Sequence, residues 1–328
     1  MNGKKVWVIL CTAVISFGVF TMPGPIGEYT AFVKSSHKQS ITAAALSDDR
    51  LLLRIREEAA KQYVKPIDAR VDRVWKAIPG YNGLEVDIAR THRINADKGP
   101  QDQLQIVYRE IPASVDLSQL PPNPVYKGNP RKPMVSLMIN VAWGDEFLPV
   151  MLKTLKEEHV QATFFLDGTW LKSHKETAKE ILAQGHELSN HAYSHKNMSQ
   201  LTESRAREEI IKTEKLLREI GVNNKLFAPP SGDFDQETVN IAKSMNLQTV
   251  LWTLDTVDWT NPSPASVIRK ISTRVEAGSM ILMHPTSASS QALPEMIRNI
   301  KRKGYVLGTV SELLSPARVP KVEDTFAF

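Results

Sequence analysis

The pattern of apolar and polar positions divides the chain into four stretches. From Val6 to Met22 the residues run Val-Trp-Val-Ile-Leu-Cys-Thr-Ala-Val-Ile-Ser-Phe-Gly-Val-Phe-Thr-Met without a charge, just after Lys4 and Lys5. Such a run is at the short end of what spans a bilayer and at the long end of a signal-peptide core. The two lysines favour an N-terminus inside and the rest of the chain outside the cytoplasm. No small-x-small cleavage site follows directly, and Ala43-Ala44-Ala45 lies far downstream. Residues 1–24 therefore read as a retained membrane anchor helix, with a cleaved signal and secretion as the alternative. Residues 25–45 read as a tether.

Shorter periodicities follow. Leu51, Leu52, Ile55, Ala59 and Tyr63 form a helical stripe ended by Pro66, and Ile67, Val71, Val74 and Ile78 predict a second helix before Pro79-Gly80. Leu84, Val86 and Ile88 alternate with polar or small residues, as do Leu104, Ile106 and Tyr108, which predicts strands. Residues 46–115 thus read as a small N-terminal α/β module. Pro121, Pro122, Pro124 and Pro130 mark residues 116–132 as an extended, Pro-rich linker.

Beyond it the pattern becomes regular. Apolar runs at 135–139, 162–166, 225–228, 248–253 and 279–283 predict strands. Between and after them, amphipathic stretches at 147–158, 169–184, 203–220, 236–244, 264–276 and 294–303 predict helices. Strand–helix alternation implies parallel strands with covering helices, either a barrel or a doubly wound sheet, over residues 133–315, with 316–328 as a tail. In both architectures reactive side chains gather at the carboxyl ends of strands, where Asn140, Asp167, Asp255, Asp258 and His284 stand.

Composition narrows the picture. The 328 residues are 42% hydrophobic and 23% charged, enough for a large core, which excludes a disordered chain. The net charge of +5 is spread thinly, with no basic stripe interleaved with aromatics, so a nucleic-acid partner has little support. Cys11 is the one cysteine, which excludes a disulfide framework or a cysteine-rich metal site.

Candidate chemistry rests on a few groups. His191 and His195 are four apart, so on one helical turn both imidazoles would point the same way and could bind a divalent metal; the same spacing also serves helix capping. Asp255 and Asp258 follow an apolar strand, where helix capping is the plain alternative. His284 ends another strand, either as a satisfied core residue or as a proton donor.

Taken in order, Asn190-His191-Ala192-Tyr193-Ser194-His195, Phe227-Ala228-Pro229-Pro230-Ser231-Gly232, Trp252 to Trp259, and Ile281-Leu282-Met283-His284 resemble the polysaccharide deacetylases with a NodB homology domain. The resemblance covers about 190 residues. It implies a deformed (β/α) barrel of the NodB type that holds a divalent metal, zinc or cobalt. It also implies removal of acetyl groups from N-acetylglucosamine or N-acetylmuramic acid in chitin-like polymers and peptidoglycan. By this resemblance His191 and His195 are the metal imidazoles, and Asp255 orients His284, the catalytic acid. Trp259, Pro229 and Pro230 line the sugar groove, and the backbone N–H of Ser231 faces the oxyanion.

The departures are linked. The family's first motif reads roughly T-F-D-D-G, base then metal ligand; here Asn140 stands at the base position and Val141 at the third ligand position. The arginine that normally pairs with the base is Ala228, consistent with a lost carboxylate charge. The run Trp143-Gly144-Asp145 further resembles a spore-formation-associated branch from endospore-forming Gram-positive bacteria. Asp145 or Glu146 reaching back is the one route to a replacement base or ligand. Three functions compete: a membrane-held, catalytically impaired deacetylase-like protein that binds cell-wall glycan; an active metal-dependent amide hydrolase; and an envelope scaffold. With two imidazoles and no carboxylate, metal is expected to be weakly held or absent.

Overall fold

The structure is a computed structural model that describes residues 50–99 and 101–319. The expected anchor and tether, and the tail from residue 320 onward, lie outside the described residues. Among those described, no helix is long and apolar enough to cross a membrane.

The described chain groups into two units, a smaller one from residues 50–63 with Glu85–Arg109 and a larger one from Val64–Leu84 with residues 110–319. The expected 46–115 module is therefore divided between them. In the smaller unit residues 50–61 are helical, as predicted. A second helix, Ile88–Asn95, begins at the last residue of the first expected strand and fills the stretch before the second, for which no element was expected. Asp87 caps it, accepting from the Arg90 N–H at 2.9 Å. Buried Asn95 fixes the return of the chain, donating to the carbonyls of Thr91 (2.7 Å) and Gln105 (2.8 Å) and accepting from the Gln105 N–H (3.0 Å).

In the larger unit, β1 (Arg70–Asp72) and β2 (Lys76–Ile78) form an antiparallel hairpin where a helix was expected. The helical spacing of Ile67, Val71, Val74 and Ile78 does not mark one buried face, because Val71 is 48% and Val74 65% exposed while Ile78 is buried. The Asp72 carboxylate accepts from the N–H groups of Val74 and Trp75 at 2.8 and 2.9 Å, which turns the chain between the strands. The strands β3 (Gly83–Val86) and β4 (Tyr108–Ile111) pair with each other.

The remaining strands are β5 (Met134–Val141), β6 (Thr163–Leu166), β7 (Glu187–Asn190), β8 (Leu226–Phe227), β9 (Gln248–Thr249), β10 (Leu254–Asp255), β11 (Met280–Met283) and β12 (Val306–Gly308). They form one curled parallel sheet in the order β10-β11-β5-β6-β7-β8-β9, with β12 beside β5. The result is an α/β half-barrel. Strand β5 is central and buried along its whole length, which explains its nearly unbroken apolar run. Val135, Leu137, Ile139 and Val141 pack outward into the layer formed with the helices Leu148–Glu157, Pro264–Arg274 and Ser287–Arg302. Met134 and Met138 pack inward with Phe165, Leu226, Ala228, Val250 and Met280. Each such side chain contributes roughly 1.5–3 kcal/mol of burial, so this two-sided packing dominates the unit's stability.

Residues 116–132, expected to be an extended linker, open with a short 3-10 turn at Leu117–Gln119 and are built into this unit. Val125 is fully buried, its N–H donates to the Thr249 carbonyl (2.9 Å) and its carbonyl accepts from the Leu251 N–H (2.8 Å). The Gly128 N–H donates to the Gly278 carbonyl (2.8 Å), and the Asn129 side chain donates to the Pro79 carbonyl at 2.9 Å.

Candidate active site

The carboxyl ends of the parallel strands bring most of the expected residues to one mouth. On β7, Asn190 pairs in register with Leu166 of β6 and Phe227 of β8, so His191, Asp167 and Ala228 each stand one residue beyond a matched position. On β11, Met283 is level with Ile139 of β5, which sets His284 beside Asn140.

His191 and His195 do come together, with ring centroids 5.2 Å apart and ring planes at 73°. They do so on a loop, not on the helical turn expected from their spacing. Ala192 (φ 59°) and His195 (φ 52°) both take the left-handed conformation, so their backbone is strained and must be braced. The bracing is dense. Asn190 accepts from the Ala192 N–H (2.8 Å), Glu209 from the N–H groups of Tyr193 (3.1 Å) and Ser194 (2.7 Å), and the Thr213 hydroxyl donates to the Ala192 carbonyl (2.7 Å). Glu209, Thr213 and Glu214 are buried on one face of the helix Glu203–Glu219, and the side chain of Asn190 donates to Glu214 at 2.8 Å. Sequence reasoning missed these supports. The signal was two carboxylates on the same helical face as Ala206, Ile210 and Leu217.

His191 is buried, and its Nδ1–H donates to the Ala228 carbonyl at 2.7 Å, which leaves Nε2 with its lone pair. Burial first, then the neighbouring charge of His195, pulls its pKa down to about 3. The imidazole is thus neutral at ordinary pH.

His284 has a different partner from the one expected. Its Nδ1 lies 2.8 Å from Asp258 Oδ1, and its backbone N–H donates to Asp258 Oδ2 at 2.6 Å. Ser289 Oγ donates to that same oxygen. Burial pushes the Asp258 carboxyl up, but the hydrogen bond and charge of His284 and the Ser289 hydroxyl hold it below its ordinary value. Asp255 instead accepts from the Val257 N–H at 2.7 Å. The left-handed turn at Val257 (φ 55°) follows, and Asp258, three residues further along, is the carboxylate bonded to His284. Orienting His284 is Asp258's task.

The β5 side is emptier. Asn140 is buried with no hydrogen-bond partner for Oδ1, and Val141 belongs to the apolar layer against the helices. Asp145 does not come back as a replacement: it accepts from Trp170 Nε1 at 2.5 Å, and Glu146 lies with it in the short helical turn Asp145–Phe147. Asp167 caps the helix Gly168–Ser173 through Oδ1, leaving its buried Oδ2 unpartnered; burial raises its pKa against the hydrogen bonds from Thr169 and Trp170. No three His, Cys, Asp or Glu side chains among the described residues converge to hold a metal ion. With a valine turned into the apolar layer at the third ligand position, the residues present do not match a three-ligand metal centre.

The proposed groove residues are also at this mouth. Pro229 and Pro230 are buried, Ser231 is exposed with φ 55°, and Trp259 is 62% exposed. Trp143 was not singled out as a binding residue, yet it is 46% exposed and stacks on His284, centroids 5.9 Å apart and planes 8° from parallel. Its neighbour Gly144 takes φ +89°, and a Cβ there would fall 2.0 Å from the Pro285 carbonyl oxygen, so only glycine lets the two segments meet this closely.

Comparison with known proteins agrees with this architecture. The polysaccharide deacetylase family model matches residues 127–250. The chain is 42% identical over 315 residues to the uncharacterized protein YlxY of Bacillus subtilis, covering 96% of this chain and 97% of that one. It is 32% identical over 202 residues to a peptidoglycan-N-acetylglucosamine deacetylase of Bacillus cereus, covering 60% of this chain and 74% of the relative. Among solved structures, a CE4 family pseudoenzyme from Bacillus anthracis superposes with a TM-score of 0.76 at 39% identity, covering 82% of this chain and 96% of that one. A mutant of that pseudoenzyme with restored enzymatic activity superposes equally well, at 38% identity and with 82% of this chain and 99% of that one covered.

Proposed function

Because the chain belongs to the polysaccharide deacetylase family, we propose that it is a member that binds N-acetylated cell-wall glycan and in which amide hydrolysis is impaired. One observation carries the reading: the end of β5 offers Asn140, whose Oδ1 is buried and unpartnered, and Val141, which is turned into the apolar layer. Deprotonating water needs an acceptor that can take a proton near neutral pH, and a carboxamide cannot. The loss of the paired guanidinium at Ala228 is the change that follows from losing the carboxylate. Likeness to a pseudoenzyme supports impaired chemistry, and likeness to a peptidoglycan deacetylase supports peptidoglycan as the glycan. In this reading the run 6–22 anchors the protein to the membrane with the barrel outside the cytoplasm, and the resemblance of Trp143-Gly144-Asp145 to the spore-formation-associated branch supports a link to sporulation.

A second reading, an active hydrolase with a rearranged centre, draws on the intact Asp258–His284 pair and on the ligand-ready tautomer of His191. Acetate release from peptidoglycan and N-acetylglucosamine oligomers separates the two, with metal content measured on the same samples after gel filtration. Expected are background acetate release and well under one equivalent of metal for the natural sequence. The double variant Asn140→Asp/Val141→Asp gains both. Acetate release by the natural sequence that vanishes in His284→Ala would establish the active reading instead.

A further inference from the structure

We infer that Trp143 is a glycan-stacking platform: its outward indole face takes the apolar face of an N-acetylhexosamine ring and holds it beside His284 without exposing it to the imidazole. The inference rests on the glycan-binding reading above and names where that binding is made.

Among the described tryptophans, only Trp143 and Trp259 are exposed. An exposed indole loses the burial that normally justifies so large a side chain, and so calls for an explanation. The two are linked through one short chain of contacts. Trp143 stacks on His284, His284 is bonded to Asp258, and Trp259 is the next residue. Trp143 therefore borders the imidazole directly, and Trp259 follows the carboxylate that holds it, at the mouth where the family's substrate lies.

Trp143 is also held in place. The inner face of its ring lies nearly parallel to His284, and His284 is fixed through two hydrogen bonds to a buried carboxylate. The following peptide is seated against Pro285 so closely that position 144 must be glycine. A ring clamped on one side and free on the other is preorganised, so binding costs little side-chain entropy. A pyranose presents C–H groups on one face and hydroxyls at its rim, which suits a flat aromatic surface bordered by polar groups. A sugar on the outer face is separated from His284 by the indole itself. With the family's two acids replaced by Asn140 and Val141, the Trp-Gly pair just beyond them makes this strand end a holding position.

The test is a fluorescence or calorimetric titration of the full-length chain with an N-acetylglucosamine tetramer. It includes Trp143→Ala, Trp143→Phe and Trp259→Ala, each with its melting temperature measured. Expected are about a tenfold weakening for Trp143→Ala and a loss within about threefold for Trp143→Phe, at unchanged melting temperature. If the natural sequence binds and Trp143→Ala binds within about twofold of it, the platform is wrong while the glycan reading stands. If the natural sequence binds neither this tetramer nor peptidoglycan, the glycan reading falls and takes the platform with it.

Discussion

The two sides of the barrel mouth have kept different things. On the β11 side, Asp258 is buried yet fully engaged, accepting from the His284 backbone, the His284 ring and Ser289. On the β5 side, Asn140 has an unpartnered oxygen and Val141 has joined the apolar layer. The difference follows from how each group is tied to the fold. Removing one member of a buried charged network strands the others, whereas a base and its guanidinium partner can be lost together with little net cost. The survival of His284 and Asp258 therefore has a structural reason and does not require that the protein turn over a substrate.

The strongest attempt to break this comparison is Asp258→Ala, which should cost about 3–5 kcal/mol in urea unfolding, against no more than about 1 kcal/mol for Asn140→Ala. Equal losses at the two positions would remove the contrast. Next comes Gly144→Ala, expected to cost about 1–3 kcal/mol because the side chain meets the Pro285 carbonyl at an unfavourable φ; near-ultraviolet dichroism should report the disturbed Trp143 stack.

Acid sensitivity sharpens the picture on the β6–β7 side. Burial lowers the pKa of His186 to about 4 and burial with the His195 charge lowers that of His191 to about 3, both from 6.5. The unfolded chain then binds more protons, so stability is complete above about pH 6.5 and falls as pH drops toward 4, by up to about 1.4 kcal/mol per pH unit for each histidine. His186→Gln should flatten that slope by about half in unfolding curves across this range. The smallest effect belongs to Trp259→Ala, within about 0.5 kcal/mol of the natural sequence by the same measurement, since its ring is mostly in solvent.

Much of the barrel was legible because buried parallel strands read as apolar runs, and β5, β6 and β11 lie where those runs do. Strand β7 was not, because Glu187-Leu188-Ser189-Asn190 is largely polar. The structure accounts for it by internal bonds: Ser189 donates to the Leu226 carbonyl at 2.8 Å, and Asn190 is tied to the helix beside it. Spacing alone made a helix of Ile67 to Ile78, and nothing local opposed it. At the site, the order of motifs located His191, His195 and His284, but two aspartates three residues apart look alike until the turn at Val257 shows which one returns to the histidine.

The strand-like passage at Val125 has a practical consequence. It fills the gap between β9 and the chain leading into β10, using backbone groups of Thr249 and Leu251 that no other strand satisfies. A fragment trimmed to begin at Pro133, the natural first choice for expressing the barrel by itself, would uncover that seam and leave a raw edge. Cloning boundaries should be set upstream of Arg70, so that the whole hairpin, whose Ala77 N–H is met by the Pro124 carbonyl at 3.1 Å, travels with the barrel it helps to close.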